Sequence, residues 1–138
     1  MLTTNELMNS VMETINDKIP NADWSGFFFC ECSPNSVDGI YIFEKRGKYY
    51  IMEQERGCIK EDVCSTEEKD IIYETVRLIS IKIAMCYAKE LYDGKKDFRR
   101  ALFAKQIELI SLLGDDYRQR IMKRINSILE NNPFVDRK

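Results

Sequence analysis

The chain has 138 residues, of which 44% are hydrophobic and 32% charged, and its 23 acidic and 21 basic side chains give a net charge of −2. These values are typical of a globular protein that folds without disulfides or metal, and we expect residues 1–138 to form a single domain. The sequence has no histidine, which removes the usual group from Ser-His-Asp and Cys-His hydrolases and from His-ligated metal sites. An enzyme of this composition would depend on carboxylates, Lys, Tyr or Cys.

The charges are unevenly distributed along the chain. The first 70 residues hold 14 acidic and 7 basic side chains, whereas the remaining 68 hold 9 acidic and 14 basic ones. An acidic front half would suit a basic protein partner, and a basic back half would suit contact with phosphate. The alternative is ordinary variation among solvated faces, since no block of like charges is long enough to indicate a dedicated tail.

The first predicted element is a helix over residues 5–19, followed by a strand. Apolar side chains recur in the helix at i, i+3 and i+4, and Thr3 or Thr4 is available as its N-cap. Pro20 ends the helix. Residues 24–32 are rich in aromatic side chains and are bounded by Pro, Asn, Ser and Gly, which favours a strand and then a loop.

The five cysteines are odd in number and contain no C-x-x-C pair. Because the N-terminus also lacks the basic and apolar regions of a signal peptide, we expect free thiols and a cytoplasmic location. Cys30 and Cys32 would share one face of the predicted strand. We expect both to be buried as small hydrophobic residues; a redox or metal pair is the alternative, but the further ligands of a zinc site are missing.

Two Gly-containing turns predict a small antiparallel β-meander of three to four strands. Residues 39–45 and 48–55 are rich in β-formers and flank Arg46-Gly47, which is a tight hairpin signal. Arg56-Gly57 repeats this signal, and residues 58–64 can return as another strand. We expect the aromatic side chains of these strands to serve core packing and cross-strand pairing, with a binding surface as the alternative.

The longest run without Gly or Pro, residues 67–92, predicts a long helix that would begin with the S-x-x-E capping pattern at Ser65. Its apolar side chains point all around the helix axis, so we interpret it as a buried central helix that is covered on most sides. A membrane span is disfavoured because Glu74, Arg77 and Lys82 fall inside the apolar window. Each of these charges would cost about 2.5–3.5 kcal/mol at a bilayer centre.

A third helix is predicted over residues 97–113, with Gly114 after it. Arg99 and Gln106 fall inside its broad apolar face and lie one above the other, seven residues apart. Polar groups that face a core need partners. Arg99 therefore either pairs with an acidic group or with backbone carbonyls inside the fold, or it reaches a cleft or a partner protein.

The last predicted helix covers residues 117–130 and has one apolar and one basic face. Asp115 or Asp116 would cap it. After Pro133 ends the helix, we expect Phe134 to pack back and residues 136–138 to form a short polar end. The complete prediction is an α+β fold with an N-terminal helix, the meander and then three helices.

Known chemical motifs are missing from the sequence. It contains no nucleotide-binding glycine loop, no metalloprotease pattern, no nucleophile elbow and no repeat. Lys95, Lys96, Arg99 and Arg100 form a small basic cluster, but a pI of 5.3 argues against a dedicated nucleic-acid binder. We therefore expect no cofactor, no metal, no nucleic acid and no membrane as partners.

The order of pieces resembles the immunity protein 63 family over roughly residues 40–136. The resemblance begins with Glu55-Arg56-Gly57 after a Tyr-rich strand and continues with an apolar helix that opens on acidic residues. Its most specific parts are Asp97-Phe98-Arg99-Arg100 with Phe103 and Gln106, and Pro133-Phe134 with Asp136. The sequence departs from the family in having Asn132 where a His commonly precedes the Pro-Phe pair, and Tyr73 and Tyr117 where Trp is usual.

The resemblance implies a non-enzymatic bacterial antidote of a toxin–immunity or contact-dependent inhibition system. Such a protein binds a polymorphic toxin encoded by a neighbouring gene and blocks it, as a monomer or a homodimer. The alternatives are a regulatory or scaffold homodimer, and a Cys- or carboxylate-based hydrolase, which would need a deep pocket of perturbed titratable groups. The candidate partner-binding residues are Glu55, Arg56, Asp97, Arg99, Arg100 and Gln106.

Overall fold

The computed structural model describes residues 1–137, so Lys138, the last residue of the predicted polar end, lies outside it. An N-terminal helix, a four-stranded sheet and three further helices follow one another, which confirms the predicted α+β class. The elements are α1 (Thr4–Lys18), β1 (Phe27–Phe28), β2 (Gly39–Lys45), β3 (Lys48–Glu55), β4 (Cys58–Ser65), α2 (Glu68–Leu91), α3 (Phe98–Ser111) and α4 (Asp115–Asn131).

The chain divides into two compact units, Met1–Thr75 and Val76–Lys138. We call them the N-terminal unit and the C-terminal unit. The N-terminal unit contains α1, the sheet and the start of α2, and the C-terminal unit contains the rest of α2 with α3 and α4. The expectation of a single domain stays a prediction.

Helix α1 begins with a capping box. The Thr3 hydroxyl accepts a hydrogen bond from the Glu6 N–H at 3.2 Å, and the Thr3 N–H donates to Glu6 Oε1 at 3.0 Å. Of the two predicted caps, Thr3 is therefore the one used. The helix then buries Leu7, Val11 and Ile15 completely, at the i, i+4 spacing that its sequence pattern predicts.

The sheet has the order β1-β2-β3-β4, and its last three strands form the predicted antiparallel meander. Arg46-Gly47 and Arg56-Gly57 have φ values of 52° and 78° and of 52° and 79°, as a two-residue turn with both central residues left-handed requires. Ile42 lies opposite Ile51, and both side chains are fully buried on one face of the sheet.

The aromatic side chains of the strands are mostly buried. Tyr41 and Phe43 are covered, Phe28 stacks on Tyr41 with ring centroids 5.1 Å apart, and Tyr50 stacks on Phe43 at 5.3 Å. The loop before β2 lies against this face, since Gln54 Nε2 donates to the Ser36 carbonyl at 2.7 Å. Core packing and cross-strand pairing therefore account for most of the aromatic content, as expected.

The predicted strand over residues 24–32 is wrong in length, because only Phe27–Phe28 pairs, and it runs parallel to β2. The sheet is therefore mixed. Gly26 has a φ of 81°, which turns the chain immediately before β1. A Cβ on Gly39 would lie 2.6 Å from the Gly26 carbonyl oxygen, so the close approach of these two segments requires glycine there.

The cysteines are free and accessible. Cys30 is exposed and Cys32 is partly exposed, so the expectation that both are buried is wrong. The reason is that they follow the two-residue β1 in irregular chain and do not belong to a strand. Cys58, Cys64 and Cys86 are also exposed.

Strand β4 forms one edge of the sheet and contains an irregularity. Ile51 pairs with Val63 and Met52 pairs with Glu61, so Asp62 is an extra residue between two ladder positions. Such a bulge bends a strand and increases its twist.

Helix α2 is the predicted long central helix, and the part from Ile71 to Ser80 is mostly buried. Its start differs from the predicted capping box. Ser65 is the last residue of β4, and its hydroxyl accepts from the Glu67 N–H at 3.0 Å and donates to Asp70 at 2.6 Å. Glu68 accepts a hydrogen bond from Ser10 of α1. Within residues 1–137 no helix is long and apolar enough to cross a membrane.

The caps of the last two helices differ in kind. Asp97 caps α3 by accepting the Arg99 N–H, whereas the cap position of α4 is Gly114, with a φ of 132°. The expected cap by Asp115 or Asp116 is therefore wrong. Both aspartates lie in the first turn of α4, where their charge is favourable to the helix dipole.

Candidate partner-binding surface

The connection from α2 to α3 is held by an aspartate at each end. At the first end, the Asp93 carboxylate accepts the N–H groups of Lys95 and Lys96 at 2.8 and 3.1 Å, and Gly94 adopts a φ of 79°. These backbone hydrogen bonds, the one from Lys95 first, lower the pKa of Asp93 below its usual range. Asp93 is therefore a fixed anion whose Oδ1 accepts both N–H groups and orders the loop.

Asp97 holds the second end and connects the start of α3 to the C-terminal segment. It accepts the Arg99 N–H at 2.9 Å, the Arg99 guanidinium at 2.9 and 3.2 Å, and the Val135 N–H at 2.9 Å. The Arg99 side chain, followed by these backbone hydrogen bonds, holds the pKa of Asp97 far below its usual range. One carboxylate thus caps α3, orients Arg99 and binds the C-terminal segment.

Arg99 is used inside the C-terminal unit. Its guanidinium donates to the carbonyl oxygens of Asn132 and Pro133, both at 2.9 Å, in addition to its pair with Asp97. Of the two expected arrangements of Arg99, the structure therefore shows the internal one. The half-buried guanidinium donates hydrogen bonds to backbone carbonyls and to a carboxylate.

Arg100 and Asp136 complete the attachment of the C-terminal segment to α3. Their side chains form a two-point ion pair at 2.9 and 3.0 Å, which lowers the pKa of Asp136, and Asp136 also accepts the Asp97 N–H at 2.7 Å. Phe134 packs back as expected, 4.3 Å below the Arg100 guanidinium and 6.1 Å from the Phe103 ring. We call Asp97, Arg99, Arg100, Phe134 and Asp136 the anchor cluster.

A cleft of about 310 Å³ opens next to the anchor cluster, between the end of α2 and the start of α3. Tyr92 and Phe98 meet edge to face within it, with ring centroids 5.9 Å apart. We call it the α2–α3 cleft. It is lined by Ala88, Leu91, Tyr92, Asp93, Lys96, Asp97, Phe98, Arg100 and Ala101.

The candidate residues from the sequence fall in three places. Arg100, with Asp97 and Arg99 beside it, belongs to the anchor cluster and borders the cleft. Gln106 is only 4% exposed on the buried side of α3. Glu55 and Arg56 lie at the β3–β4 turn in the N-terminal unit, where both are exposed and line a shallow depression.

Sequence reasoning missed Leu91 and Tyr92, although both are part of this surface. Their signal was the all-round apolar character of residues 67–92, which we interpreted as burial. It also missed the contacts of Asp136. This residue was part of the family resemblance, but no partner was predicted for it. The helical pattern alone does not show at which residue of α2 the packing of neighbouring elements ends.

The charged groups of this surface are fixed and ionised. Asp93, Asp97 and Asp136 are ionised acceptors whose pKa values are lowered by internal donors, so they stay charged at neutral pH. Within residues 1–137 no group of three or more His, Cys, Asp or Glu side chains is arranged to hold a metal ion. A surface of fixed charges next to exposed apolar side chains is suited to contact with a protein.

The comparisons with known proteins give one match. A family model described as immunity protein 63 matches residues 45–127, a range that contains β3, β4, α2, α3 and most of α4. It includes the α2–α3 cleft and stops before Phe134 and Asp136. No curated protein and no solved structure matches the chain.

Proposed function

Since the chain belongs to the immunity protein 63 family, we propose that it neutralises a cognate bacterial toxin by binding it in a stoichiometric complex. The family match carries this proposal, because it extends over more than half of the chain and includes every element around the α2–α3 cleft. On this proposal the protein catalyses no reaction, acts in the cytoplasm, and has as its partner the toxin encoded by a neighbouring gene.

Inhibition by binding depends on covering the toxin's active site or on blocking its entry to the target. A stable complex of this kind buries about 800 Å² on each partner, so the toxin must contact a broad surface of the chain. Among the candidate residues, Glu55, Arg56 and Arg100 are exposed enough to touch a partner. Asp97 and Arg99 would act by positioning, and Gln106 by supporting α3 from its buried side.

The test is co-production with the toxin domain encoded next to this gene. We expect a 1:1 complex in size-exclusion chromatography and growth of cells that otherwise die from the toxin. A toxin variant inactivated in its catalytic residues should still bind, which separates binding from toxicity. Absence of a complex with any neighbour-encoded toxin, or rescue without binding, would contradict the proposal.

The alternative, a regulatory or scaffold homodimer, has one structural feature in its favour, namely the exposed apolar residues Tyr87, Leu91 and Tyr92. It predicts concentration-dependent association of the chain alone in sedimentation velocity. A chain that stays monomeric at high concentration and binds the toxin would dismiss it.

A further inference from the structure

We propose that the α2–α3 cleft is the toxin-binding site and that it takes an acidic toxin segment carrying one large apolar side chain. This inference rests on the proposed function and goes further by naming the surface and the chemistry of the partner segment. Three observations carry it: a local concentration of exposed apolar side chains, a cleft of suitable size, and an excess of basic groups at its border.

The exposed apolar side chains are concentrated at the end of α2. Eight large hydrophobic residues are exposed within residues 1–137, and three of them lie between positions 87 and 92. Tyr87, Leu91 and Tyr92 are 39%, 57% and 49% exposed, and the first two share a helix face because they are four residues apart. Scattered exposed hydrophobic residues are normal, but a cluster of this kind marks an interaction site.

The cleft provides space beside these residues. Ala88 and Ala101 leave room that larger side chains would fill, and the rings of Tyr92 and Phe98 form a wall. Its volume of about 310 Å³ is near the lower limit of the roughly 300–1,000 Å³ typical of ligand pockets. It is therefore large enough for one or two side chains of a partner and too small and open to enclose a larger ligand.

The border of the cleft is electropositive in effect. Asp97 is paired with Arg99 and Asp136 with Arg100, so the carboxylate of Asp93 stands against the ammonium groups of Lys95 and Lys96. Lys95 and Lys96 are exposed, whereas Lys105 pairs with Glu108 at 3.3 Å and places its Nζ 4.9 Å from the Tyr87 ring. Cationic side chains around an apolar centre complement Asp and Glu residues that flank an apolar anchor.

The border is also ordered before binding. Asp97 is fixed by the helix cap and the anchor cluster, and the backbone N–H groups of Lys95 and Lys96 are held by Asp93. Binding to a surface whose backbone is already ordered loses less conformational entropy, which raises affinity for the same contacts. The anchor cluster thus has a role in binding even where its residues do not touch the toxin.

The experiment measures the affinity of the purified toxin domain from the neighbouring gene for variants of the full chain. Leu91→Glu combined with Lys96→Glu places negative charge in the apolar centre and at the border, and we expect affinity to fall at least about 100-fold. The matched control is Leu112→Glu with Lys123→Glu, two exposed positions elsewhere in the C-terminal unit, which should change affinity by less than about threefold.

A second variant keeps the apolar residues and reverses only the charge. Lys95→Glu with Lys96→Glu should weaken binding, and an Asp→Lys or Glu→Lys change in the toxin segment should restore it. Raising the salt from about 0.05 M to about 0.5 M should weaken the wild-type complex more than the complex of this variant. Circular dichroism and thermal melting verify that each variant is folded.

The outcomes separate this inference from the proposed function. If the wild-type chain binds the toxin and the Leu91→Glu, Lys96→Glu variant binds equally well, the cleft is not the site although the function stands. If the wild-type chain does not bind the toxin, the proposed function itself fails. If the chain dimerises alone and the same variant abolishes the dimer, the cleft is a self-association surface and the inference is overturned.

Discussion

The central strands of the N-terminal unit and the end of α2 in the C-terminal unit differ in how far their apolar side chains are buried. In the N-terminal unit, Tyr41, Phe43 and Tyr49 are almost completely buried on the two faces of the sheet. In the C-terminal unit, Leu91 and Tyr92 remain about half exposed at the end of a helix whose first part is buried. Both segments are rich in apolar residues, so composition indicates how much apolar surface exists, whereas burial identifies the part that stays exposed.

The largest expected effect is in the sheet of the N-terminal unit. Ile42→Ala removes a fully buried side chain opposite Ile51, and we expect the free energy of unfolding to fall by about 2–5 kcal/mol. Urea unfolding followed by the fluorescence of Trp24, the single tryptophan, reports on this unit. A fall in the free energy of unfolding of less than about 1 kcal/mol would contradict this expectation, because the sheet would then not be a packed core.

Replacing a left-handed glycine by alanine should lower the free energy of unfolding by a smaller amount that is equal in both units, because the cost depends on the backbone alone. Gly57 and Gly94 both have a φ of 79°, and a Cβ added at either position meets no atom within 4 Å. Alanine at each should therefore lower the free energy of unfolding by about 1–2 kcal/mol, the cost of a left-handed L-residue. Arg56→Asn is the control, since Asn tolerates this conformation. Unequal losses for the two glycines would show that packing also acts at one of them.

An acid-dependent effect should appear at the anchor cluster of the C-terminal unit. Because the pKa of Asp97 is lowered on folding, the folded state binds fewer protons, and this stabilisation is present above the unfolded pKa and is lost as pH falls through the folded one. Asp97→Asn should therefore reduce the loss of stability between about pH 5 and pH 3. Urea midpoints across this range, with Asp17→Asn as the control, measure it. An unchanged slope in Asp97→Asn would contradict the assignment.

The smallest expected effect is at the exposed end of α2. Leu91→Ser should change the free energy of unfolding by less than about 0.5 kcal/mol, because the side chain is already 57% exposed. Tyr49→Ser is its contrast, since that ring is buried and its hydroxyl accepts the Leu2 N–H at 2.8 Å. Thermal melting of the two variants measures this difference in stability directly. A strong loss with Leu91→Ser would mean that Leu91 supports the fold and is not free for a partner.

The sheet could be predicted from sequence where its structure depends on local turn chemistry. The bounds of β2 and β3 agree with the prediction because Arg46-Gly47 and Arg56-Gly57 fix where the chain reverses. β1 could not be predicted in this way. Its length depends on a parallel pairing with β2 and on the approach of Gly26 to Gly39, which are tertiary features without a local pattern.

The candidate surface could be predicted only in part. The sequence indicated that Arg99 needs a partner, and Asp97 lies two residues away, but the carbonyls of Asn132 and Pro133 come from a distant segment. Gln106 was correctly placed on the apolar face of α3 and is buried there. The exposure of Leu91 could not be predicted, since periodicity describes which directions are apolar and not how far along a helix the neighbours extend.

The extra residue Asp62 in β4 has a consequence for the behaviour of the protein at high concentration. It interrupts the outer strand of the sheet, where Lys60, Glu61 and Asp62 also place three charged side chains in succession. A straight, uncharged margin would recruit further copies of the chain into fibrils. This margin is kinked and charged instead, which disfavours pairing of the sheet with further copies of the chain at high concentration.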